Sequence, residues 1–315
     1  LTPSEKRYLK IYYLNDEGGK QNNYKLLFDA IDEQEEYDED ALKQQFAGET
    51  FAKQLHVTKN YLYNNILKFL RSYQNKPGTD LRLCQMYEDI CILEDKGLYQ
   101  QALKILRRAK EIALEFERFP MLLKLLRKEF DIAFEGKDKH FAFNEYVEEL
   151  LATEKQALQQ LNEVTEYWRT ATEIYLASRT ISEPKKFVDS PEGKRLHVLI
   201  KAAATAEPAS FNAKLYYHRM QTLWAVAAGT YADAYQNQSE SVRHFEAHPE
   251  MVADQPTQYV NELANLALME VDRRDYDEVM AITQKMEDAH FEYRFTEGRA
   301  LESKIFTATT LFRLI

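Results

Sequence analysis

Gly97-Leu98-Tyr99-Gln100-Gln101-Ala102-Leu103-Lys104-Ile105-Leu106-Arg107-Arg108-Ala109 decides how the rest of this chain is read. A glycine that permits a tight turn opens it, an aromatic follows two places later, and alanines stand at 102 and 109. Upstream, Leu83, Met86, Ile90 and Leu93 recur at spacings of three and four, the mark of one helix face. Downstream, Ala102, Ile105, Leu106, Ala109, Ile112, Ala113 and Phe116 make the facing stripe. Two apolar-periodic helices joined at Gly97 predict a hairpin over 79–118, with small alanines where the helices approach closely. Asp80 is the expected N-cap of its first helix.

The same signature returns as Gly229-x-Tyr231-x-x-Ala234 and, degenerate, as Arg274-x-Tyr276-x-x-Val279. The first two copies are 132 residues apart, three steps of 44, and the last two are 45 apart. A fixed period of this size predicts a stacked array of helical hairpins. Such arrays present long grooved surfaces that bind other chains.

The other hairpins follow from the same periodicity. Pro120 opens a helix through Phe134, and Gly136 turns it into a stripe of Phe141, Tyr146, Val147, Leu150 and Leu151. Leu161, Val164, Trp168 and Ala171 begin the next hairpin, and Leu196, Leu199, Ile200 and Ala203 complete it. Ser182–Gly193 between them is expected to be a loop. Ala213, Tyr217, Met220, Leu223, Trp224 and Ala227 pair with Tyr231, Ala234, Tyr235, Val242 and Phe245. Leu263, Leu266 and Ala267 pair with Tyr276, Val279, Ile282 and Met286. A last helix, from about Tyr293 to Leu314, is expected to have no partner and no polar cap, so either the native chain continues past Ile315, which is the preferred expectation, or this surface docks on something. The nine glycines and eight prolines fall mainly between these segments, and no strand-like alternation is present.

With its glycine, aromatic and two small residues in register, 97–109 resembles the turn and second helix of the tetratricopeptide repeat. Leu114 stands where that family often has proline, which lengthens the helix and raises the period above the family's roughly 34 residues. The resemblance covers about 79–315 and implies an all-α, right-handed α-α superhelix of about five to six hairpins. It further implies a protein-interaction scaffold in which the first helix of each hairpin lines a concave groove. By that register, Cys84, Tyr87, Cys91, Glu94 and Asp95 face the groove in the first hairpin. Tyr216, Arg219, Leu223 and Val226 do so in the fourth, and Asn261, Ala264, Leu268 and Asp272 in the fifth. Tyr87, Glu94, Asp95, Tyr216, Arg219 and Asn261 are the candidate peptide contacts. Some family members clamp a partner's C-terminal carboxylate with lysines and asparagines there; Tyr87 and Cys91 occupy those places here and argue against that clamp. Tyrosine and arginine make interface anchors, although Tyr87 and Tyr216 also suit packing between hairpins.

The chain has 315 residues, a formal charge of −10, 29% charged and 45% hydrophobic residues. No apolar run approaches the roughly 20 residues of a membrane span. Cys84 and Cys91, seven apart on one expected helix, lie about 10 Å apart at helical rise, too far for a disulfide. They are expected to be free, small and buried, as in a reducing, cytoplasmic compartment.

Residues 1–74 lack the repeat. Short helices are expected at Ser4–Leu14, Asn22–Ile31 and Glu39–Phe46, with the acidic run Asp32–Asp40 as a solvated loop. Phe51–Leu70 resembles a helix-turn-helix, with Ala52, Leu55, Val57, Thr58, Leu62 and Ile66 at that motif's positions. The resemblance implies Thr58, Lys59, Asn60, Asn64 and Lys68 as nucleic-acid contacts of a transcriptional regulator whose repeats sense a peptide or protein. His56 stands where glycine is usual at the turn, and the overall negative charge opposes phosphate binding. The competing reading is a helical cap, with Leu62, Ile66 and Leu70 buried against Leu83 and Met86.

No catalytic constellation emerges. Gly18-Gly19-Lys20 lacks the rest of a phosphate loop. His244 and His248 share a helix face with too few further ligands for zinc, and read as surface histidines. Glu287-x-x-His290 is half of a di-iron pattern that needs a second copy. The acids around Cys84 and Cys91 oppose thiolate formation. The expectation is a non-enzymatic chain with no cofactor and no metal.

Overall fold

The computed structural model describes residues 1–12, 14, 23–73, 78–135, 143–181, 183–205 and 207–293. Among them are fifteen α-helices, one 3-10 turn and no strand, so the chain is all-α, as its periodicity predicts. It divides into two compact units, Leu1–Pro77 and Gly78–Ile315.

The first unit holds α1 (Pro3–Tyr12), α2 (Asn23–Asp32), α3 (Glu39–Gln45) and α4 (Leu55–Tyr73), with a 3-10 turn at Thr50–Gln54. Leu9, Leu27, Phe28, Leu42, Phe51, Leu55, Leu62 and Phe69 form its core. Ile66 and Leu70 pack against that core. The acidic run is built into the fold and is not simply a solvated loop. Asp32 pairs with Lys6 at 2.5 Å, and Asp38 caps α3 by accepting from the amides of Asp40 and Ala41.

The second unit runs α5 (Thr79–Asp95), α6 (Tyr99–Glu115), α7 (Phe119–Glu135), α8 (Phe143–Thr180), α9 (Pro184–Asp189), α10 (Pro191–Ala203), α11 (Phe211–Ala228), α12 (Tyr231–Glu246), α13 (Pro249–Asp254), α14 (Pro256–Arg273) and α15 (Tyr276–Tyr293). The three signatures each join a packed pair: α5 with α6, α11 with α12, α14 with α15. The opening residue of each takes left-handed backbone: Gly97 at φ 71°, Gly229 at φ 78°, Arg274 at φ 62°. All three turns carry the same pair of bonds. Leu98 N–H donates to Leu93 C=O and Gly97 N–H to Glu94 C=O, both at 2.8 Å; Thr230 donates to Ala225 and Gly229 to Val226; Asp275 donates to Glu270 and Arg274 to Val271. Five residues on, Ala102, Ala234 and Val279 are buried at 0%, 1% and 0% exposure.

Arg274 pays for this geometry. A left-handed non-glycine residue costs about 1–2 kcal/mol, and glycine gives back part of the gain through unfolded-state entropy. Arg274→Gly is expected to stabilise the unit by about 0.5–1 kcal/mol, and Gly97→Ala to destabilise it by about 1 kcal/mol. Thermal melts of the two variants check the opposite signs.

The middle departs from even repeats. The stretches 143–151 and 161–171, expected in separate hairpins, lie on one 38-residue helix, α8, because 152–160 contains no glycine or proline to break it. Of the stretch Ser182–Gly193 expected as a loop, Ser182 lies outside the described residues, and Pro184 and Pro191 start α9 and α10 in first-turn positions that need no N–H. Asp80 lies inside the first turn of α5, with Gly78 at the cap position. Cys84 is exposed rather than buried, and both cysteines are free. The helix expected from Tyr293 to Leu314 lies outside the described residues beyond Tyr293, as do Gly136 and Phe141.

One further left-handed turn, unmarked by glycine, holds the array together. Glu117 at φ 53° ends α6 with the same bond pair, Arg118 N–H to Ala113 C=O and Glu117 N–H to Leu114 C=O. Its carboxylate accepts from the amides of Phe211 and Asn212, filling the N-terminus of α11 from 94 and 95 residues away. Beside it, Arg118 reaches Asp80 at 2.9 Å and Asp254 at 2.6 Å. The first hairpin is thereby tied to α11 and α13.

Candidate functional site: a cleft among α11, α12 and α14

The six candidate groove residues do not form one surface. Tyr87 is half-buried, with the Lys124 ammonium 3.8 Å from its ring centroid, and lines a cavity of about 380 Å3 with Leu123, Arg127 and Lys128. Glu94 is paired with Lys128 at 2.6 Å, and Asp95 is exposed. Tyr216 lines a cavity of about 620 Å3 around Arg118, Asp254 and Gln258. Asn261 is exposed and lines none of these cavities. Arg219 opens onto a third.

That third cavity, about 730 Å3, lies among α11, α12 and α14 and is mostly apolar. Its volume falls in the range of ligand sites, roughly 300–1,000 Å3. Leu223 and Val226 come from α11, Leu268 and Met269 from α14, Tyr231 and Tyr235 from α12. Helical spacing puts Arg219, Leu223 and Val226 on one face of α11, and Asn265, Leu268 and Asp272 on one face of α14. Of the residues placed in the groove by register, Leu223, Val226, Leu268 and Asp272 line this cleft, while Ala264 is buried in the core behind it. Sequence reasoning missed the α12 contribution by assigning the groove to first helices alone. The i, i+4 pair Tyr231 and Tyr235, directly after Gly229, was the available signal.

The wall is held by a buried polar network. Glu262, 1% exposed, receives the Arg219 guanidinium and the Gln238 amide, and Gln238 Nε2 also donates to the Glu262 backbone carbonyl at 3.0 Å. Arg219 lies 5.2 Å from the Tyr216 ring centroid, and Arg273 lies 4.0 Å from that of Tyr235. Two guanidiniums are therefore fixed in orientation at an apolar cleft. Val226 and Tyr231 are exposed at its mouth.

Next to this region His244 is not a surface residue. Its ring stacks on Phe211 at 4.3 Å, and its Nε2 meets the Phe211 carbonyl at 3.1 Å. His248 Nδ1 meets the His244 carbonyl at 2.8 Å. Burial pushes the His244 imidazole from 6.5 down to about 4. A depressed histidine pKa means that the unfolded chain binds the proton first. The stabilisation is whole above about pH 6.5 and is lost as pH falls toward 4. Between pH 7.5 and 5.5 the wild type is expected to lose about 1 kcal/mol more than His244→Gln. Paired thermal melts at the two pH values check this. Among the described residues, no three His, Cys, Asp or Glu side chains gather as a metal site.

In the first unit the helix-turn-helix expectation fails at its turn. His56 lies inside the continuous 19-residue helix α4, and a single 3-10 turn precedes it. Thr58 is buried, its hydroxyl donating to the Gln54 carbonyl at 3.3 Å. Lys59 is engaged by Glu39 and by the Tyr37 hydroxyl at 2.8 Å. That contact, with Lys43, holds the Glu39 carboxyl down at about 2. Asn60, Asn64 and Lys68 are exposed on α4. Two of the five expected nucleic-acid contacts are thus spent within the unit.

Comparison with protein-family models, with curated proteins and with solved structures found no match to this chain.

Proposed function

We propose that the second unit is a non-enzymatic interaction module that takes a segment of a partner chain in the cleft among α11, α12 and α14. The observation that carries this is the 730 Å3 apolar cleft with two ring-backed guanidiniums at its walls. A buried carboxylate and amide spent on fixing one of those guanidiniums favour binding over chemistry. The resemblance of 79–315 to the tetratricopeptide repeat supports the same reading. Among the described residues no helix is long and apolar enough to cross a membrane. The free thiols suit a cytoplasmic setting.

The test is selection of binders from a random linear decapeptide library on the full chain, followed by titration against Val226→Asp. Val226 is exposed at the mouth, so a carboxylate there disturbs the cleft and not the core. The expected result is saturable binding that Val226→Asp weakens at least tenfold. Failure to select any peptide, or binding indifferent to Val226→Asp, overturns the reading.

A further inference from the structure

The long helix α8 is apolar on two sides. Leu150, Ala157, Tyr167, Ala171 and Ile174 are buried against the rest of the second unit. Leu151, Leu158, Trp168, Tyr175 and Leu176 are each between 46% and 59% exposed. A surface helix ordinarily turns charged and polar residues to solvent. Leu151 and Leu158 are seven apart, as are Trp168 and Tyr175, and half-buried Leu161 lies three beyond Leu158 and seven before Trp168. These positions follow the alternating steps of three and four that mark a coiled-coil seam. The five exposed side chains leave roughly 500 Å2 uncovered. Two such seams laid together cover about 1,000 Å2 before any polar rim, the lower bound of a specific interface.

The seam is complementary to itself run backwards. Two copies of α8 laid antiparallel with Leu151 opposite Tyr175 also set Leu158 opposite Trp168, so each leucine meets an aromatic ring. That register brings Glu148 opposite Arg179, to within one residue. Both are exposed, and neither forms a salt bridge among the described residues. Arg179 is held over Tyr175, its Nη1 donating to the hydroxyl at 2.9 Å. Two-fold symmetry repeats every one of these pairs. A parallel pairing would instead set Glu148 against Glu148 and Arg179 against Arg179, which like charges oppose.

We propose that α8 is a dimer interface. Two copies of this chain pair antiparallel along Leu151–Leu176, closed at each end by Glu148 of one copy and Arg179 of the other. The cleft among α11, α12 and α14 takes no residue from α8, so dimerisation and peptide binding stand or fall separately.

The experiment is sedimentation velocity of the full chain from about 1 to 100 μM. The expected result is a reversible species of twice the 37.0 kDa of one chain, with a dissociation constant on the order of 10 μM. Leu158→Glu puts a charge in the middle of the seam and is expected to weaken the dimer at least tenfold, with helical circular dichroism unchanged. Glu148→Arg and Arg179→Glu, which leave the seam apolar, are each expected to weaken it about fivefold, and the double variant to return it to within about twofold of wild type. Should Leu158→Glu lose helicity, the charge reversals decide alone. A chain still monomeric at 100 μM overturns the proposal. A dimer indifferent to these substitutions overturns its assignment to α8. Charge reversals that weaken singly and are not restored in the double variant overturn the antiparallel register.

Discussion

Arg118→Ala is expected to lower the stability of the second unit by about 3–5 kcal/mol, the range for removing one partner of a buried ion pair. The Asp254 side chain is 3% exposed and its carboxylate receives Arg118 Nη2 at 2.6 Å. Truncating Arg118 leaves that carboxylate buried without its cation. It also removes the bond from Nη1 to the Phe116 carbonyl, at 2.6 Å. The pair with Asp80 adds little, because Asp80 is 78% exposed and its attraction is screened. The effect belongs to Asp254, so Asp80→Ala is expected to cost under 1 kcal/mol. Both tryptophans, Trp168 and Trp224, lie in the second unit, so urea unfolding followed by tryptophan fluorescence reports that unit. A double variant, Arg118→Met with Asp254→Leu, is expected to unfold at higher urea than Arg118→Ala, since no charge is then left buried. If Arg118→Ala moves the midpoint no more than Asp80→Ala does, the array is not held by this clasp.

The clasp matters for the cleft because Asp254 ends α13, two residues before α14 begins, and α14 forms one wall of the cleft. Glu117 adds the second tie, at the start of α11, which forms another wall. The turn at 116–118 thus fixes the N-terminal ends of two cleft helices, with side chains nearly a hundred residues or more away in sequence. Solenoid stability is ordinarily a sum of nearest-neighbour contacts. Here part of it comes from contacts that skip repeats, and perturbing residue 118 should be felt at the cleft.

How much of this was legible in the sequence depends on which link is asked about. Gly97, Gly229 and Arg274 were readable as equivalent turns because a tyrosine two places on and Ala or Val five places on recur after each, and all three adopt left-handed backbone. Glu117 adopts the same backbone with no such mark, and its partners at 211 and 212 are set by tertiary approach alone. The break expected between residues 151 and 161 came from assuming even repeats, where the residues themselves contain no breaker. Prolines 184 and 191 read as loop formers in the sequence, yet each is preorganised for a first helical turn. At the cleft, the register implied by the tetratricopeptide resemblance named Arg219, Leu223, Val226, Leu268 and Asp272, which line it. It named Asn261 in place of Asn265, one turn away, and it could not see α12 rotate two tyrosines into the same space. The nucleic-acid reading rested on a turn at His56. The absence of glycine there was physical information, and the helix does run through it.

Gly193→Ala should destabilise the second unit by about 3 kcal/mol, although Gly193 lies in a helix. In an exposed helix interior the same change stabilises by about 1 kcal/mol, because alanine loses less backbone entropy. Here the sign reverses for a steric reason. A Cβ at 193 would stand 2.1 Å from the Phe187 carbonyl oxygen and 3.2 Å from Ser190 Oγ. Neither is the free end of a flexible chain. Ser190 Oγ accepts from Gly193 N–H at 2.9 Å and donates to the Phe187 carbonyl at 2.7 Å, which closes the corner between α9 and α10. Phe187 is fully buried, 5.5 Å from the Trp224 ring, so the carbonyl cannot retreat without unseating the side chain. Overpacking of this kind costs about 1–3 kcal/mol, and a backbone obstacle puts it at the upper end. Lys194→Ala, one exposed position away, isolates helix propensity from the clash. The expected pattern is a large drop in the urea midpoint for Gly193→Ala with altered Trp224 emission, and a shift within about 0.5 kcal/mol for Lys194→Ala. Equal midpoints for the two variants would mean that α9 and α10 do not meet through Phe187 and Gly193.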